Sequence, residues 1–534
     1  MKKLFVTTLA LASVVCASVS AQKLEFDASK GVAGSMTTPF GKEVKYTAYT
    51  NLYYVTNVED SVYQYMNVFV PEGADQTTPI FMPNNVGGYM ASAPHGVTAG
   101  KASGRALAEG YVVAIPGVRG RNSSVEANGT TVYTGRAPKA ILDLKAAVRY
   151  LRYFDAEMPG DAERIITNGT SAGGAMSSLQ GATGNNPTYS ELLKAMGAAD
   201  TRDDVYASVC FCPIIDLDHA DMAYEWTYKC TNGVTREISE ARTEVSEELA
   251  ANFADYFNSL GLTKPDGTPL TESNLLDYIK ELIIVSAQEA KDAGADMPDD
   301  VGFEFSSNMG AGAPINGGPQ GPGQGGPQGG PGQGGPQGMP QGAPGQGGPQ
   351  GAPGMGQGPQ GGPQGISPQM MERLRSKKGE YITDLDMEKY LNYVVTTMPL
   401  KNPPAFDRQG VAEGGATGEN EEFGDETGSS VNFTEYSLRK ATGDASATLD
   451  EELKENIRRL NPISMICDSE STVAKHWYIR HGARDRDTSF PVPVILATKL
   501  QNLGYDVNFK LPWNRPHGGD YALNEVFAWI KSIL

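Results

Sequence analysis

No part of the 534-residue chain leaves its backbone less choice than residues 164–180. RIITN (164–168) is a β-branched, apolar run that reads as a buried strand. Gly169-Thr170-Ser171-Ala172-Gly173 follows, and AGGAMSSLQ (172–180) reads as a helix start built from small residues. Glycines on both sides of a serine permit a sharp reversal with closely packed backbones. The predicted unit is strand, tight turn, helix. It lifts the Ser171 hydroxyl to the carboxyl edge of a sheet and makes Ser171 a candidate nucleophile.

The surrounding pattern agrees with such a sheet. Strands are expected at 78–82, 111–115, 164–168, 205–214, 476–480 and 505–511. Helices are expected at 138–154, which has a proline at its first position, at 491–503, and at 522–534. Strands alternating with helices predict an α/β class with a mostly parallel central sheet. The interval 216–475 breaks the alternation, although 240–260 and 385–396 have helical patterning. The expected organisation is a core in two parts, 22–215 and 476–534, with 216–475 inserted as a lid domain. Within the insertion, residues 317–365 are nearly all Gly, Pro and Gln, without charge and without the strict glycine period of collagen. Such a tract buries too little apolar surface to offset its chain entropy, so a disordered loop is expected there.

Residues 1–21 have the make-up of a secretory signal: Lys2 and Lys3, an apolar stretch 4–17, then Val19-Ser20-Ala21. Export to the periplasm or medium is the expectation. Loss of the two lysines takes the formal charge from −19 to −21. So acidic a chain lacks the basic footprint of a nucleic-acid binder. No later stretch reaches the length of a membrane span. Cys210 and Cys212 lie in the apolar run and read as small core residues; a bridge to Cys230 or Cys467 is the alternative.

A serine needs a base to take its proton. The five histidines are His95, His219, His476, His481 and His517. In α/β-hydrolases the chain order is Ser, acid, His. His517 fits: it follows the expected last strand and heads His517-Gly518-Gly519-Asp520, where small residues leave an imidazole room to reach across. The acid should follow strand 476–480, and RHGARDRDTS offers Asp485 and Asp487, between which spacing does not choose. The oxyanion hole is expected from the Ala172 N–H and an amide of Gly87 or Gly88 in the loop after strand 78–82. Asp216, Asp218, His219, Asp221 and Glu225 form an acidic cluster without EF-hand spacing, which reads as a structural or pocket-lining segment.

GTSAGGAMSSLQGATGN, CPIIDLDHADMAYEW, WYIRHGARDRDTSFPVPVILATKL and HGGDY together resemble the bacterial subtype-B tannases. These are α/β-hydrolases with a large lid that cleave galloyl esters, and their near relatives include feruloyl-esterase-like proteins. The resemblance implies a triad of Ser171, Asp485 and His517, and assigns Asp487 to the ring hydroxyls. PLKNPPAFD implies that Lys401 shares that task, and GENEEFG implies Glu419, with Glu421 as rival. Three adjacent phenols suit such a set, because they donate to carboxylates and accept from an ammonium. Ile214 is placed to pack one ring face. Gly418 stands where the family usually has a proline for the other face. Thr170 and Pro516 stand where the fungal tannase and feruloyl-esterase group has cysteines, which excludes that group.

The expected function is an exported serine esterase acting on aromatic-acid esters, galloyl esters foremost, with no cofactor and a small-molecule ester as its partner. The alternatives are a feruloyl, other hydroxycinnamoyl or acetyl esterase, a serine peptidase of related fold, and an inactive hydrolase serving as a binding protein.

Overall fold

The computed structural model describes residues 23–229, 238–308, 379–411 and 414–534. The expected signal segment 1–21, the Gly/Pro/Gln tract 317–365 and Cys230 lie outside them. Nine strands form one sheet: β1 (Val32–Thr37), β2 (Glu43–Tyr53), β3 (Tyr65–Pro71), β4 (Pro79–Pro83), β5 (Val112–Pro116), β8 (Asp161–Thr170), β9 (Ala207–Phe211), β12 (His476–Arg480) and β13 (Asp506–Lys510). Among the described residues there are two further two-stranded antiparallel pairs, β6 (Ser124–Ala127) with β7 (Thr130–Tyr133), and β10 (Phe303–Asn308) with β11 (Gly379–Leu385). The spatial order is β1-β2-β3-β5-β4-β8-β9-β12-β13. From β5 to β13 every pairing is parallel. The β1–β2, β2–β3 and β3–β5 pairings are antiparallel.

The inner parallel strands are largely apolar on both faces because both are covered, whereas the edge strand β13 alternates buried Val507 and Phe509 with Asp506, Asn508 and Lys510. Along β5, Val112 and Ala114 face one layer, and Val113 and Ile115 the other. Trp477 and Ile479 of β12 likewise part company with Tyr478. The first layer includes the helices Lys139–Tyr153 and Ala172–Ala182, and the second holds Ala102–Ala108 and Leu523–Ile533. In the antiparallel edge, β1 is half exposed and its burial alternates only weakly, so it has no clear sequence signature, whereas β3 is buried along nearly its whole length.

β12 pairs with β9 in parallel register, His476 beside Ala207, so the chain rejoins the sheet after an excursion of more than 260 residues. Among the described residues, no strand of that excursion enters the sheet. It supplies helices such as Leu217–Tyr228, Glu240–Ser259, Glu272–Asp292 and Met387–Val394. Glu272–Asp292 escaped the sequence reading although its signals are present. Thr271 and Asn274 form a capping box, and Leu275, Ile279, Leu282 and Ile283 are buried on one face. The excursion shares one apolar core with the first helix layer, through Phe253, Tyr278, Leu391 and Phe406. No helix among the described residues is long and apolar enough to cross a membrane.

Candidate active site

Ser171 sits between β8 and the helix Ala172–Ala182 with φ 64° and ψ −127°. A non-glycine residue there costs about 1–3 kcal/mol, so the surroundings must hold it. Its N–H donates to Phe211 O at 2.9 Å, and its carbonyl accepts from Ala175 N at 2.9 Å and Ile214 N at 3.3 Å. The flanking glycines are required by close approach. A Cβ on Gly169 would lie 2.0 Å from Gly173 O, and one on Gly173 would lie 2.7 Å from both Asn84 Oδ1 and Val86 O. Backbone on one side and a bonded amide on the other leave little room to yield. Gly173→Ala is therefore expected to lower stability by about 2–3 kcal/mol, read as a fall in the urea midpoint. Gly518→Ala, whose Cβ would meet nothing within 4 Å, is expected to leave the midpoint unchanged.

Asn84, which sequence reasoning missed as a functional residue, braces this turn. Its amide donates to Asn168 O at 3.2 Å and Gly173 O at 3.0 Å. It opens the Asn-Asn-Val-Gly-Gly loop after β4, so the loop carrying Gly87 and Gly88 is tied directly to the Ser171 turn. Ala172 is fully buried at the start of the helix. Gly87 lines a cavity together with Ser171. The Gly88 carbonyl is taken by Arg121 Nε at 2.8 Å.

His517 Nδ1 is 2.8 Å from Asp485 Oδ2. Asp485 is fully buried, and its Oδ1 accepts the Asp487 N–H at 2.8 Å. Burial alone would raise the Asp485 carboxyl. The charge of His481, the hydrogen bond and charge of His517 and the Asp487 N–H reverse that and hold it at about 2. Burial pulls His517 down, but the Asp485 hydrogen bond and charge outweigh it, so His517 lies above the ordinary imidazole range. The loop bearing His517 packs on the residue before the serine: a Cβ on Gly519 would stand 1.9 Å from Thr170 Oγ1.

His481 is fully buried 3.5 Å from Asp485, and burial keeps its imidazole below the usual range. Cys212 also borders the pair. Its Sγ lies 3.3 Å from Gly518 O, and Sγ, an Asp485 oxygen and a His517 nitrogen fall within 4.8 Å of one another. Cys212 is buried, as expected of a core residue, but it also helps seat the His517 loop. Cys210, Cys212 and Cys467 are free thiols.

Of the other predicted residues, Ile214 and Asp487 lie at this centre, and Lys401 and Glu419 are linked to it by charge. Asp487 Oδ2 is 4.0 Å from His517 Nδ1, and Oδ1 is 3.1 Å from Arg486. Lys401 Nζ lies 4.0 Å over the Phe406 ring. Burial lowers its ammonium below the usual lysine range, against the opposing charges of Glu419, Asp487 and Asp221. Lys401 and His517 also feel each other's charge. Glu421, the rival of Glu419, is already paired with Arg121. Ile214 is buried, and its carbonyl accepts from Tyr89 OH at 2.7 Å.

Arg121 is a second residue that spacing did not reveal. It joins the Gly88 carbonyl to Glu421, and its guanidinium lies 3.0–3.4 Å from where a Gly418 Cβ would stand. The loop after β4 and the helix Gly418–Glu422 are thereby held together. The acidic cluster around Asp216 is closed by its own partners. His219 Nδ1 is 3.0 Å from Asp216 and 3.4 Å from Asp218, and Asn461 donates to both at 2.8 and 2.9 Å. The two carboxylates overcome burial and raise His219 to about 11, so an imidazolium supplies the positive charge there.

This geometry permits nucleophilic acyl chemistry: a strained serine at a sheet edge, a histidine above its usual pKa, and a buried carboxylate on the Nδ1 of that histidine. A family model described as BD-FAE matches residues 66–254. The native structure of tannin acyl hydrolase from Lactobacillus plantarum is similar, with 35% identity and a TM-score of 0.74, covering 96% of this chain and 98% of that one. Fusobacterium nucleatum tannase is 32% identical with a TM-score of 0.74, covering 96% and 99%. A tannin acyl hydrolase in complex with ethyl gallate is 35% identical with the same TM-score, covering 96% and 98%. No curated protein matches the chain.

Proposed function

Because the chain belongs to the tannase family of α/β-hydrolases and is a carboxylic ester hydrolase, we propose that it is an exported serine esterase whose preferred substrates are galloyl esters. The observation that carries the acyl preference is the convergence on His517 and Asp485 of groups suited to adjacent phenols. Asp487 Oδ2 lies 4.0 Å from His517 Nδ1, Lys401 is near enough for its charge to act on His517, and Glu419 near enough to act on Lys401. A likeness to an ethyl gallate complex supports the same reading. Such a site rejects rings without hydroxyls, because its buried polar groups would be left unpaired.

In this mechanism Ser171 Oγ attacks the ester carbonyl while His517 takes its proton. Asp485 holds the imidazole tautomer and stabilises the imidazolium. The Ala172 amide and that of Gly87 or Gly88 bind the oxyanion. Gly87 is the better placed, since it shares a cavity wall with Ser171. His517 then protonates the leaving alcohol, and water cleaves the acyl-enzyme by the reverse sequence. We divide the chain into a core of 22–215 and 476–534, which carries Ile214 and Asp487, and a lid of 216–475, which supplies Lys401 and Glu419. Export rests on the composition of residues 1–21.

Gly418 favours a second reading. The Arg121 guanidinium occupies the place a side chain at 418 would take, and such a planar cation stacks on a hydroxycinnamoyl ring as well as on a galloyl one. Hydrolysis of methyl gallate, methyl ferulate and methyl benzoate by the purified mature protein separates the two. The expected result is gallate above ferulate, and above benzoate by about 100-fold or more. A ferulate preference would retain the mechanism and replace the substrate.

A further inference from the structure

Lys401 belongs to the insertion and Asp487 to the second part of the core, so chain order does not fix the gap between them. The helix Leu217–Tyr228 touches both stretches. Three of its buried side chains, Asp221, Tyr224 and Tyr228, follow one another at i, i+3 and i+7 and so share one face. Tyr228 OH donates to the Asp485 carbonyl at 3.2 Å. Tyr224 OH donates to the Arg486 carbonyl at 3.0 Å and accepts the Lys401 N–H at 3.1 Å. Asp221 accepts the N–H groups of Phe406 and Asp407 at 2.7 and 3.0 Å.

We propose that Tyr224 is a positioning residue for acyl specificity: by joining Lys401 to Arg486 it sets where the Lys401 ammonium stands relative to Asp487. The proposal rests on the ring-binding reading above and names what in the fold enforces it.

Two observations carry it. The first is that one oxygen bonds both stretches. Arg486 lies between Asp485 and Asp487, so the Tyr224 hydroxyl spans from the acid loop to the lysine loop through a single atom. Its ring is fully buried, 4.7 Å from Tyr228 and edge-on to Phe406 at 6.1 Å. Phe406 in turn carries Lys401 Nζ 4.0 Å over its face. Tyr224 thus meets Lys401 at both ends, at the backbone directly and at the ammonium through Phe406. A polar group that must meet a phenol is useful only if held to about 0.5 Å.

The second is that the same helix face reaches the other lid residue. Asp221 holds Asp407, and Asp407 Oδ1 accepts from Asn420 Nδ2 at 2.7 Å. Asn420 is the neighbour of Glu419. The helix therefore registers both lid groups against the acid loop. Loss of the Tyr224 hydroxyl would free the Lys401 end of this arrangement. Asp221 would still hold the Phe406 end, and Tyr228 would still hold Asp485. The lysine would move while the His517–Asp485 pair stayed in place.

The test is kcat and KM for methyl gallate and methyl benzoate, measured for the mature enzyme, Tyr224→Phe, Lys401→Met and the double variant. The melting temperature of each checks folding. Tyr224→Phe is expected to raise KM for gallate about tenfold, with kcat within about threefold and benzoate nearly unaffected. In the Lys401→Met background the same change should lower kcat/KM for gallate by less than about twofold, because a residue acting through Lys401 has nothing left to position. Asp221→Asn, which loosens the same loop at Phe406 and Asp407, should give the same pattern and serves if Tyr224→Phe does not fold. Equal losses on the two esters, a loss confined to kcat, or effects that multiply in the double variant would overturn the positioning role and leave the ring-binding reading intact. An unchanged gallate-to-benzoate ratio in Lys401→Met would overturn the ring-binding reading, and the positioning role with it.

Discussion

Ser171→Ala is expected to lower turnover of methyl gallate by about 10⁴-fold or more while leaving the fold intact. Alanine removes the nucleophilic oxygen and little else. Serine and alanine both carry a Cβ, so the cost of holding φ at 64° is similar in the two. The backbone bonds that hold residue 171 to Phe211, Ala175 and Ile214 involve no side-chain atom. The melting temperature should therefore change little, and labelling by a fluorophosphonate should disappear. A variant that kept a tenth of the activity would remove Ser171 from the mechanism, whatever its stability.

Asp485→Asn is expected to reduce kcat by about 10³–10⁴-fold, and Asp487→Asn to act mainly through KM for gallate. Only Asp485 is buried and within 2.8 Å of the His517 ring. An asparagine there no longer favours the tautomer with a proton on Nδ1 and no longer stabilises the imidazolium. Asp487 stands at 4.0 Å and is itself engaged by Arg486. If Asp487→Asn gave the larger loss in kcat, the two roles would have to be exchanged.

The pH profile gives the same test a second readout. The proposed mechanism needs neutral His517, so activity is expected to fall as pH drops through its pKa. Asp485 is what raises that pKa against burial. The acid limb of the profile should thus move to lower pH in Asp485→Asn. Stability follows the carboxylate instead. Asp485 lies at about 2 in the folded chain, below the unfolded value of about 3.9. Its contribution is present above pH 4 and is lost as pH falls towards 2.

Much of this was legible in the residue order because it depends on local geometry. Gly169, Ser171 and Gly173 announce a turn that few other residue types can make, and apolar runs such as RIITN and HWYIR mark strands buried on both faces. Those strands proved to be β8 and β12, longer by a few residues or matching to the residue. Helices 139–153 and 491–502 lie where their periodicity placed them. Chain order brought His517 forward, since a histidine after the last strand has one sheet edge to reach. Asp485 and Asp487 show where that kind of information ends. They are two residues apart and alike in chemistry. What separates them is burial and a 2.8 Å approach, both created by the packing of the loop after β12.

The remaining parts are set by contacts between distant segments. Asn84 reaches Gly173 across 89 residues, Arg121 meets Glu421 across 300, and Cys212 touches Gly518 across 306. None of these pairs has a spacing to read, and asparagine, arginine and cysteine each have commoner uses. Residue order determined the sheet, the nucleophilic turn and the kinds of groups available, because turn strain and side-chain periodicity act over a few residues. Only the folded chain decided which carboxylate meets the histidine and which glutamate is taken by Arg121, because burial and hydrogen bonding depend on what the fold places side by side.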